Sequence, residues 1–121
     1  MLYRISIEAT YLKAELFNRE TMQETQAFLR VVARTALKHR QPRVLISVLS
    51  SNPAFTAEKS GFLDVLSCLG ADPAHKIALV GDSMELGISH EYVALVGKQH
   101  GIQMRSFLNE AMAQRWLEAK E

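Results

Sequence analysis

The side chains that could take part in chemistry are few and scattered along the chain. None of the four histidines has metal-site or catalytic spacing, because HEYVA at 90–94 lacks the second histidine of a zinc-protease helix. No serine lies in a G-x-S-x-G turn, and neither glycine-rich nucleotide motif is present. Cys68 lies in an apolar stretch without nearby basic residues, which is typical of a buried thiol. We therefore expect no enzymatic activity, no metal and no cofactor.

Gly81, Asp82 and Ser83 form a weak candidate for an anion site. They end a predicted strand and open a predicted helix, where α/β proteins present backbone amides to anionic ligands. The competing interpretation is that Asp82 simply caps the helix, with Glu85 closing a capping box.

A basic ridge is predicted on the first helix. Arg30, Arg34 and Lys38 lie four residues apart, and Arg40 and Arg43 follow. Basic residues near a helix C-terminus favourably oppose the helix dipole, so the ridge is either simply solvated or faces an anionic partner. No series of aromatic residues accompanies it, and the formal net charge of the chain is +1, so we expect no nucleic acid partner.

The elements that would position these residues begin with two short strands. Residues 2–8 and 11–17 alternate polar and apolar side chains, and the break between them, AT, is too short for a crossover. An antiparallel hairpin is therefore predicted. RVLISVL and HKIALVGDS are apolar runs typical of strands buried on both faces, and IQMRSFL is a shorter strand.

Helices are predicted between and after these strands. The first begins near Asn18 or Thr21 and ends before Pro42, the second covers about 57–70, and the others begin near Asp82 and Asn109. The order β-β-α-β-α-β-α-β-α predicts an α/β fold. Its sheet is mostly parallel, with right-handed crossovers and an antiparallel N-terminal hairpin strand at one edge.

The third predicted helix carries apolar residues at helical intervals, namely Ile88, Tyr92, Leu95 and Val96. His90 and Glu91 lie on the same helix, either on a solvated polar face or as a pair that lines a groove. His75 precedes the strand KIALVG and is expected at the surface.

Length and composition favour a single domain over residues 1–121. The chain is 48% hydrophobic and 22% charged, with six glycines and three prolines, which is ordinary for a folded protein. One cysteine cannot form an internal disulfide, and charged residues interrupt the apolar N-terminal segment. We therefore expect a soluble, cytoplasmic protein without a signal peptide or transmembrane segment.

With this order of elements and VLISVLSSNPAFTAEKSGFLDVL at its centre, the chain resembles the STAS domains of anti-sigma-factor antagonists. It is most similar to their STAS-like relatives with a CRAL-TRIO-like lipid-binding topology. The resemblance spans the whole chain and includes KIALVGDS and RSFLNEAMAQRWL. In the antagonists, a partner kinase phosphorylates the second serine of a D-S-S-G motif that follows the central strand. Gly61 matches the glycine, Ser60 the phosphoacceptor, Lys59 the first serine and Glu58 the aspartate.

The resemblance implies a regulatory domain that binds a partner protein and performs no catalysis. A phosphate on Ser60, in the first turn of a helix, would be stabilised by exposed amides and would add about −1.5 to −2 charge to the docking surface. The alternative is that Ser60 is an ordinary helix residue. The partner surface would surround Ser60 and include Ser50, Ser51, Glu58, Lys59 and Gly61.

The second hypothesis is a cleft that holds a small, lipid-like apolar ligand. It would lie between the second and third helices, near Phe55, Phe62 and Tyr92. The simpler interpretation is that these three rings fill the core. A homodimer stays open under either hypothesis.

Overall fold

The computed structural model describes residues 2–18, 22–49, 67 and 69–119. At the N-terminus, strands β1 (Leu2–Ile7) and β2 (Leu12–Phe17) pair antiparallel. The amide of Glu8 closes the turn by donating to the carbonyl of Tyr11 at 2.9 Å. The predicted hairpin is therefore confirmed.

The other strands continue the sheet in the order in which they occur along the chain. They are β3 (Arg43–Leu49), β4 (Lys76–Gly81) and β5 (Met104–Phe107), and the sheet order is β1-β2-β3-β4-β5. Strands β2 to β5 are all parallel, so β1 supplies the antiparallel edge. The predicted α/β fold with a mostly parallel sheet is confirmed.

The described helices are α1 (Met22–Lys38), α2 (Met84–Gln99) and α3 (Glu110–Glu118). Most of the helix predicted over 57–70 lies outside the described residues, although residues 69 and 70 are helical. As predicted, Asn109 caps the last helix, because its side chain accepts a hydrogen bond from the Met112 amide at 2.9 Å.

The first face of the sheet packs against α1 and α2. Alternate residues of β2 and β3 point to this face, which is why Leu12, Ala14 and Leu16 share one core with Val44 and Ile46. The helices add buried side chains to the same core, among them Phe28, Val32, Leu86 and Val93. This core holds most of the buried apolar residues that the structure describes.

The second face of the sheet is covered by α3. Leu45, Ala78 and Val80 pack there against Ala113 and Leu117 of the helix. Trp116 lies at the margin of this smaller core, with its ring centroid 5.5 Å from that of Phe107.

Basic side chains at the start of β3 and β4 hold the C-terminal end of α3. The ammonium group of Lys76 donates to the carbonyls of Trp116 and Ala119, both at 2.9 Å, and only 3% of Lys76 is exposed. The guanidinium of Arg43 donates to the carbonyl of Leu117. These carbonyls belong to the last turn of α3 or follow it, so the two cations satisfy acceptors that the helix cannot satisfy itself.

An ion pair connects the N-terminal end of α3 to β2. Lys13 Nζ lies 2.9 Å from a carboxylate oxygen of Glu110. This hydrogen bond raises the pKa of Lys13 because it stabilises the charged ammonium. Burial, together with the nearby carboxylate of Glu8, raises the pKa of the adjacent Tyr11.

Helix α1 ends in a conformation that is unusual for its sequence. Arg40 has φ 53°, in the left-handed region, and the Gln41 amide donates to the Ala36 carbonyl at 2.9 Å. This is the Schellman ending that glycine normally provides, here made with arginine. Helix α2 ends in the same way with the usual residue, since Gly101 has φ 79° and the Ile102 amide donates to the Gly97 carbonyl at 2.9 Å.

His75 is buried, and its prediction as a surface residue is wrong. It is 7% exposed, its Nδ1 lies 2.6 Å from the Asp72 carbonyl, and its Nε2 accepts a hydrogen bond from the Gln103 amide at 2.8 Å. The ring thus ties the loop before β4 to the residue before β5. A tertiary contact of this kind leaves no local pattern in the sequence.

Candidate functional site

The outward side of α2 carries large apolar residues. Met84, Ile88 and Leu95 are 80%, 54% and 57% exposed, and we call these three residues the outer strip of α2. Leu108 and Met112, in the connection after β5 and on α3, are also exposed. Large apolar side chains that cluster on a surface mark an interaction site more often than single ones do.

A groove runs between this strip and the free edge of β5, and we call it the α2–β5 groove. Its upper part is a cleft of about 530 Å³ at the carboxyl ends of β4 and β5, lined by Met84, Gly87 and Ile88 on one side and by Ser106 to Leu108 on the other. Its lower part, about 250 Å³, is lined by Ala94, Leu95, Lys98 and Arg105. Glu91 and Ser106 line both parts, so the two parts are adjacent.

The groove carries charges of both signs. Asp82 and Glu91 line the upper part, and Glu91, Lys98 and Arg105 line the lower part. The guanidinium of Arg105 lies 5.4 Å from the ring centroid of Phe107 and 5.7 Å from that of Trp116, which belong to the second face of the sheet. A ligand that lies along the groove therefore meets a mixture of acidic and basic groups.

The comparisons with known proteins give no family for this site. No protein family model, curated protein or solved structure matches the chain. No described helix is both long and apolar enough to cross a membrane. In the part of the chain that the structure describes, no group of three histidine, cysteine, aspartate or glutamate side chains is placed to hold a metal ion.

The structure places the predicted anion segment at the mouth of the groove. Ser83, and not Asp82, caps α2, because its side chain accepts a hydrogen bond from the Leu86 amide at 3.2 Å. The capping role expected of Asp82 is therefore wrong by one residue. Asp82 and Glu91 both line this cleft, and their charges disfavour an anion there.

Helix α2 turns a different face to the sheet from the one that its apolar spacing would suggest. Of the four apolar residues that predicted this helix, only Val96 is buried, while Ile88, Tyr92 and Leu95 are at least one third exposed. The buried face includes Ser89, His90 and Gly97. A side chain at Gly97 would collide with the side chain of Met104, so glycine allows the helix to approach β5 closely at this position.

A small enclosed cavity lies between α1 and α2 over β3 and β4. Its volume is about 30 Å³, and Thr25, Phe28, Ser89 and His90 are among the residues that line it. The Thr25 hydroxyl is buried and has no hydrogen-bond partner among the described residues. The cavity is large enough for a water molecule that would satisfy this hydroxyl, and far too small for a fatty acid.

Most of the residues predicted from the family resemblance lie outside the described residues. This applies to the candidate phosphoacceptor Ser60, to Phe55 and Phe62 of the predicted cleft, and to the predicted partner surface of Ser50, Ser51, Glu58, Lys59 and Gly61. Tyr92 is described and lies on α2 with 36% of its surface exposed. Arg30, Arg34 and Lys38 of the basic ridge are exposed on α1.

The α2–β5 groove itself was missed by sequence analysis. Of the predicted pair, Glu91 lines the groove and His90 lines the buried cavity, so the two do not form one site. The sequence contains one signal of this groove. Met84, Ile88 and Leu95 lie on one face of a helix whose opposite face is buried, so apolar residues occur on both sides of the helix.

Proposed function

We propose that this chain is a cytoplasmic, STAS-like regulatory domain that acts by binding a partner protein and performs no catalysis. The order of the described elements agrees with the order on which the STAS resemblance rests. The observation that carries the proposal is the outer strip of α2, whose exposed apolar residues border a channel of mixed charge. Buried apolar area supplies most of the stabilisation when proteins associate.

Site-specific photo-crosslinking in the cells that produce the protein tests this proposal. A photoreactive phenylalanine analogue at position 88 should capture one discrete protein, whereas the same analogue at position 34, on the basic ridge of α1, should not. Both positions are exposed, so accessibility is matched. Identical capture from both positions, or none from position 88, would contradict the proposal.

The captured partner then permits a direct measurement. Purified Ile88→Glu should bind the partner at least tenfold more weakly than the unmodified chain, because a charged side chain replaces an apolar one at the interface. A tenfold loss of affinity corresponds to about 1.4 kcal/mol. Its stability should change by less than about 0.5 kcal/mol, since the side chain is outside the core.

Regulation by phosphorylation is the second part of the proposal. It rests on the match of Ser60 to the phosphoacceptor of the antagonists. A phosphate would alter the charge of a docking surface and so change its affinity for the partner. Intact-mass measurement on protein from its natural cells should show a phosphorylated species that is lost in Ser60→Ala, and its absence under all growth conditions would refute this part.

The alternative is a carrier or sensor of a small apolar ligand in a cleft between helices. The predicted cleft, between the second predicted helix and α2, lies largely outside the described residues, and Tyr92 is the one described member of its three rings. Native mass spectrometry of freshly purified protein tests it, because a co-purified lipid would appear as added mass.

A further inference from the structure

The two edges of the sheet differ in how easily another strand can reach them. At one edge, β1 spans six residues, of which Leu2, Tyr3 and Ile7 are 66%, 47% and 47% exposed. At the other edge, β5 has four residues, and Met104 is fully buried. No described strand pairs with the outer side of β1. The edge of β1 is therefore the one that is open to a further strand.

The hydrogen bonds of the N-terminal hairpin show which backbone groups of β1 face its partner strand. The Glu8 amide donates to the Tyr11 carbonyl at 2.9 Å, and these two residues continue the register of β1 with β2. Bonded pairs alternate with non-bonded pairs along an antiparallel ladder. Leu2, Arg4 and Ser6 therefore direct their amides and carbonyls toward β2.

The ladder on the other side of β2 agrees with this assignment. The Asn18 amide donates to the Leu49 carbonyl at 3.2 Å, so the even-numbered residues of β2 face β3 and the odd-numbered ones face β1. The register places the odd-numbered residues of β2 opposite the even-numbered residues of β1. The outward amides and carbonyls of β1 therefore belong to Tyr3, Ile5 and Ile7.

The strand β1 lacks the features that commonly prevent an edge from pairing. Such features include a proline, a bulge, or charged side chains along the strand. The register of β1 with β2 runs without a bulge, and its six residues include no proline. Its single charged residue is Arg4, which lies 3.9 Å from the carboxylate of Glu15 on β2. Nothing in the strand itself opposes the approach of another one.

The three outward residues are arranged symmetrically about Ile5, so the edge is complementary to itself. Two β1 strands related by a two-fold axis run antiparallel. If they are centred on Ile5, Tyr3 of each copy lies opposite Ile7 of the other, and every outward amide and carbonyl of these residues bonds. A register shifted by two residues would leave one of the three without a partner residue in β1.

The side chains also match in this register. Ile5 packs against the core on the first face of the sheet, and the ring of Tyr3 lies 6.0 Å from that of Phe28 on the same face. Residues two apart share a face, so pairing would place apolar side chains opposite each other there. On the second face, Arg4 of one copy would lie opposite Ser6 of the other, so no like charges oppose each other directly.

We propose that β1 pairs antiparallel with β1 of a second copy of this chain, so that two five-stranded sheets form one continuous sheet across a two-fold axis. The contact is small compared with that of obligate dimers, so the association should depend on concentration. It goes beyond the proposed function and does not require it. Helix α2 packs on β4 and β5, at the far end of the sheet, so its outer strip stays free in the dimer.

Sedimentation equilibrium of the full chain over a series of concentrations tests the proposal. The unmodified chain should change from monomer to dimer. Ile7→Pro removes an amide that faces outward, so the ladder to β2 stays intact, and it should raise the dissociation constant at least about tenfold. Ile7→Val keeps the amide and is the matched control, with an expected change within about twofold. If Ile7→Pro does not fold, Ile7→Lys replaces it, because its charge would lie opposite Tyr3 of the second copy.

Disulfide cross-linking tests the register, in chains that carry Cys68→Ala so that each variant has one thiol. Ile5→Cys should form a covalent dimer under mild oxidation, because the two α-carbons of a bonded pair on the axis are about 5.5 Å apart. Arg4→Cys is the control. Its two α-carbons would be about 8 Å apart, given the strand rise and spacing, which is beyond the reach of a disulfide.

Other results would overturn the proposal. A monomer at every concentration, or a dimer whose dissociation constant is the same in Ile7→Pro and Ile7→Val, excludes pairing through β1. Equal cross-linking of Ile5→Cys and Arg4→Cys excludes the register centred on Ile5. If the Ile5 amide exchanges more slowly only when the protein captured at position 88 is bound, and not at higher concentration of the chain alone, the edge belongs to that partner and not to a second copy.

Discussion

On the first face of the sheet, α1 and α2 bury a continuous set of large side chains such as Phe28 and Leu86. On the second face, the nine-residue helix α3 buries Ala113 and Leu117, and polar contacts of Lys76, Arg43 and Lys13 fix its two ends. The first layer is therefore held by apolar area, and the second by a few directed contacts. We infer that α3 can loosen while the rest of the fold persists, since local stability follows local packing.

The largest effect is expected in the first layer. Phe28→Ala should lower the free energy of unfolding by about 3–5 kcal/mol, because it leaves a cavity where a side chain only 1% exposed had packed. Urea denaturation measures the change. Leu37→Ala on the same helix, at a residue 54% exposed, is the control and should cost less than about 0.5 kcal/mol. If both variants lowered the free energy of unfolding equally, burial of one side of α1 would not explain its contribution to stability.

A smaller effect, confined to the second layer, is expected from Lys76→Met. The change leaves the carbonyls of Trp116 and Ala119 without their buried donor, which costs about 1–3 kcal/mol. Hydrogen exchange followed by NMR should show faster exchange in α3 and unchanged protection in α1. Uniformly faster exchange throughout the sheet would mean that the two layers unfold together. Lys98→Met, at an exposed lysine on α2, is the matched control.

The left-handed residue at the end of α1 offers a way to stabilise the first layer without a new apolar contact. Arg40→Gly should raise the free energy of unfolding by about 1 kcal/mol, because glycine adopts φ 53° without the steric cost that arginine bears. Lys38→Gly, inside the last turn of the same helix, should instead lower it by about 1 kcal/mol. Thermal melting distinguishes the two, and a loss of stability in both would show that the left-handed conformation is not strained.

The smallest effect concerns pH and the ion pair of Lys13. Its charged form is stabilised in the folded protein, so this stabilisation is complete below the ordinary pKa of 10.5 and is lost as the pH rises through the higher pKa of the folded state. Burial raises the pKa of Tyr11 and so favours its neutral form in the folded state. The folded protein therefore also loses stability as Tyr11 ionises at rising pH. The ion pair should contribute about 0.2–1 kcal/mol.

Two variants separate these contributions in melts between neutral and alkaline pH. Lys13→Met should reduce the loss of stability at alkaline pH in part, and Tyr11→Phe should reduce the rest of that loss. A decline that neither variant alters would assign the alkaline sensitivity to other groups.

Several parts of the fold follow from local sequence patterns, and the exceptions have a common cause. Alternation predicted β1 and β2, apolar runs predicted β3 and β4, and the position of Asn109 predicted its cap. The orientation of α2 was not predictable in this way, because its buried face mixes Ser89, His90 and Gly97 with apolar residues such as Val93, while other large apolar side chains point outward. The absence of a side chain at Gly97 lets the helix approach Met104 of β5 closely, and this contact between elements leaves no local pattern in the sequence.

The candidate site was predictable only in outline. The carboxyl ends of β4 and β5 are where parallel sheets bind ligands, and the segment from Gly81 to Ser83 was placed there correctly. The groove depends on an unpaired edge beside a helix wall, which is a relation between elements distant in sequence. For the same reason the buried partners of His75 could not be anticipated.

The strands lie in the sheet in the order in which they leave the ribosome, from β1 to β5. Each new strand can therefore join an edge that is already formed, without threading between earlier ones, and the sheet can assemble as the chain is synthesised.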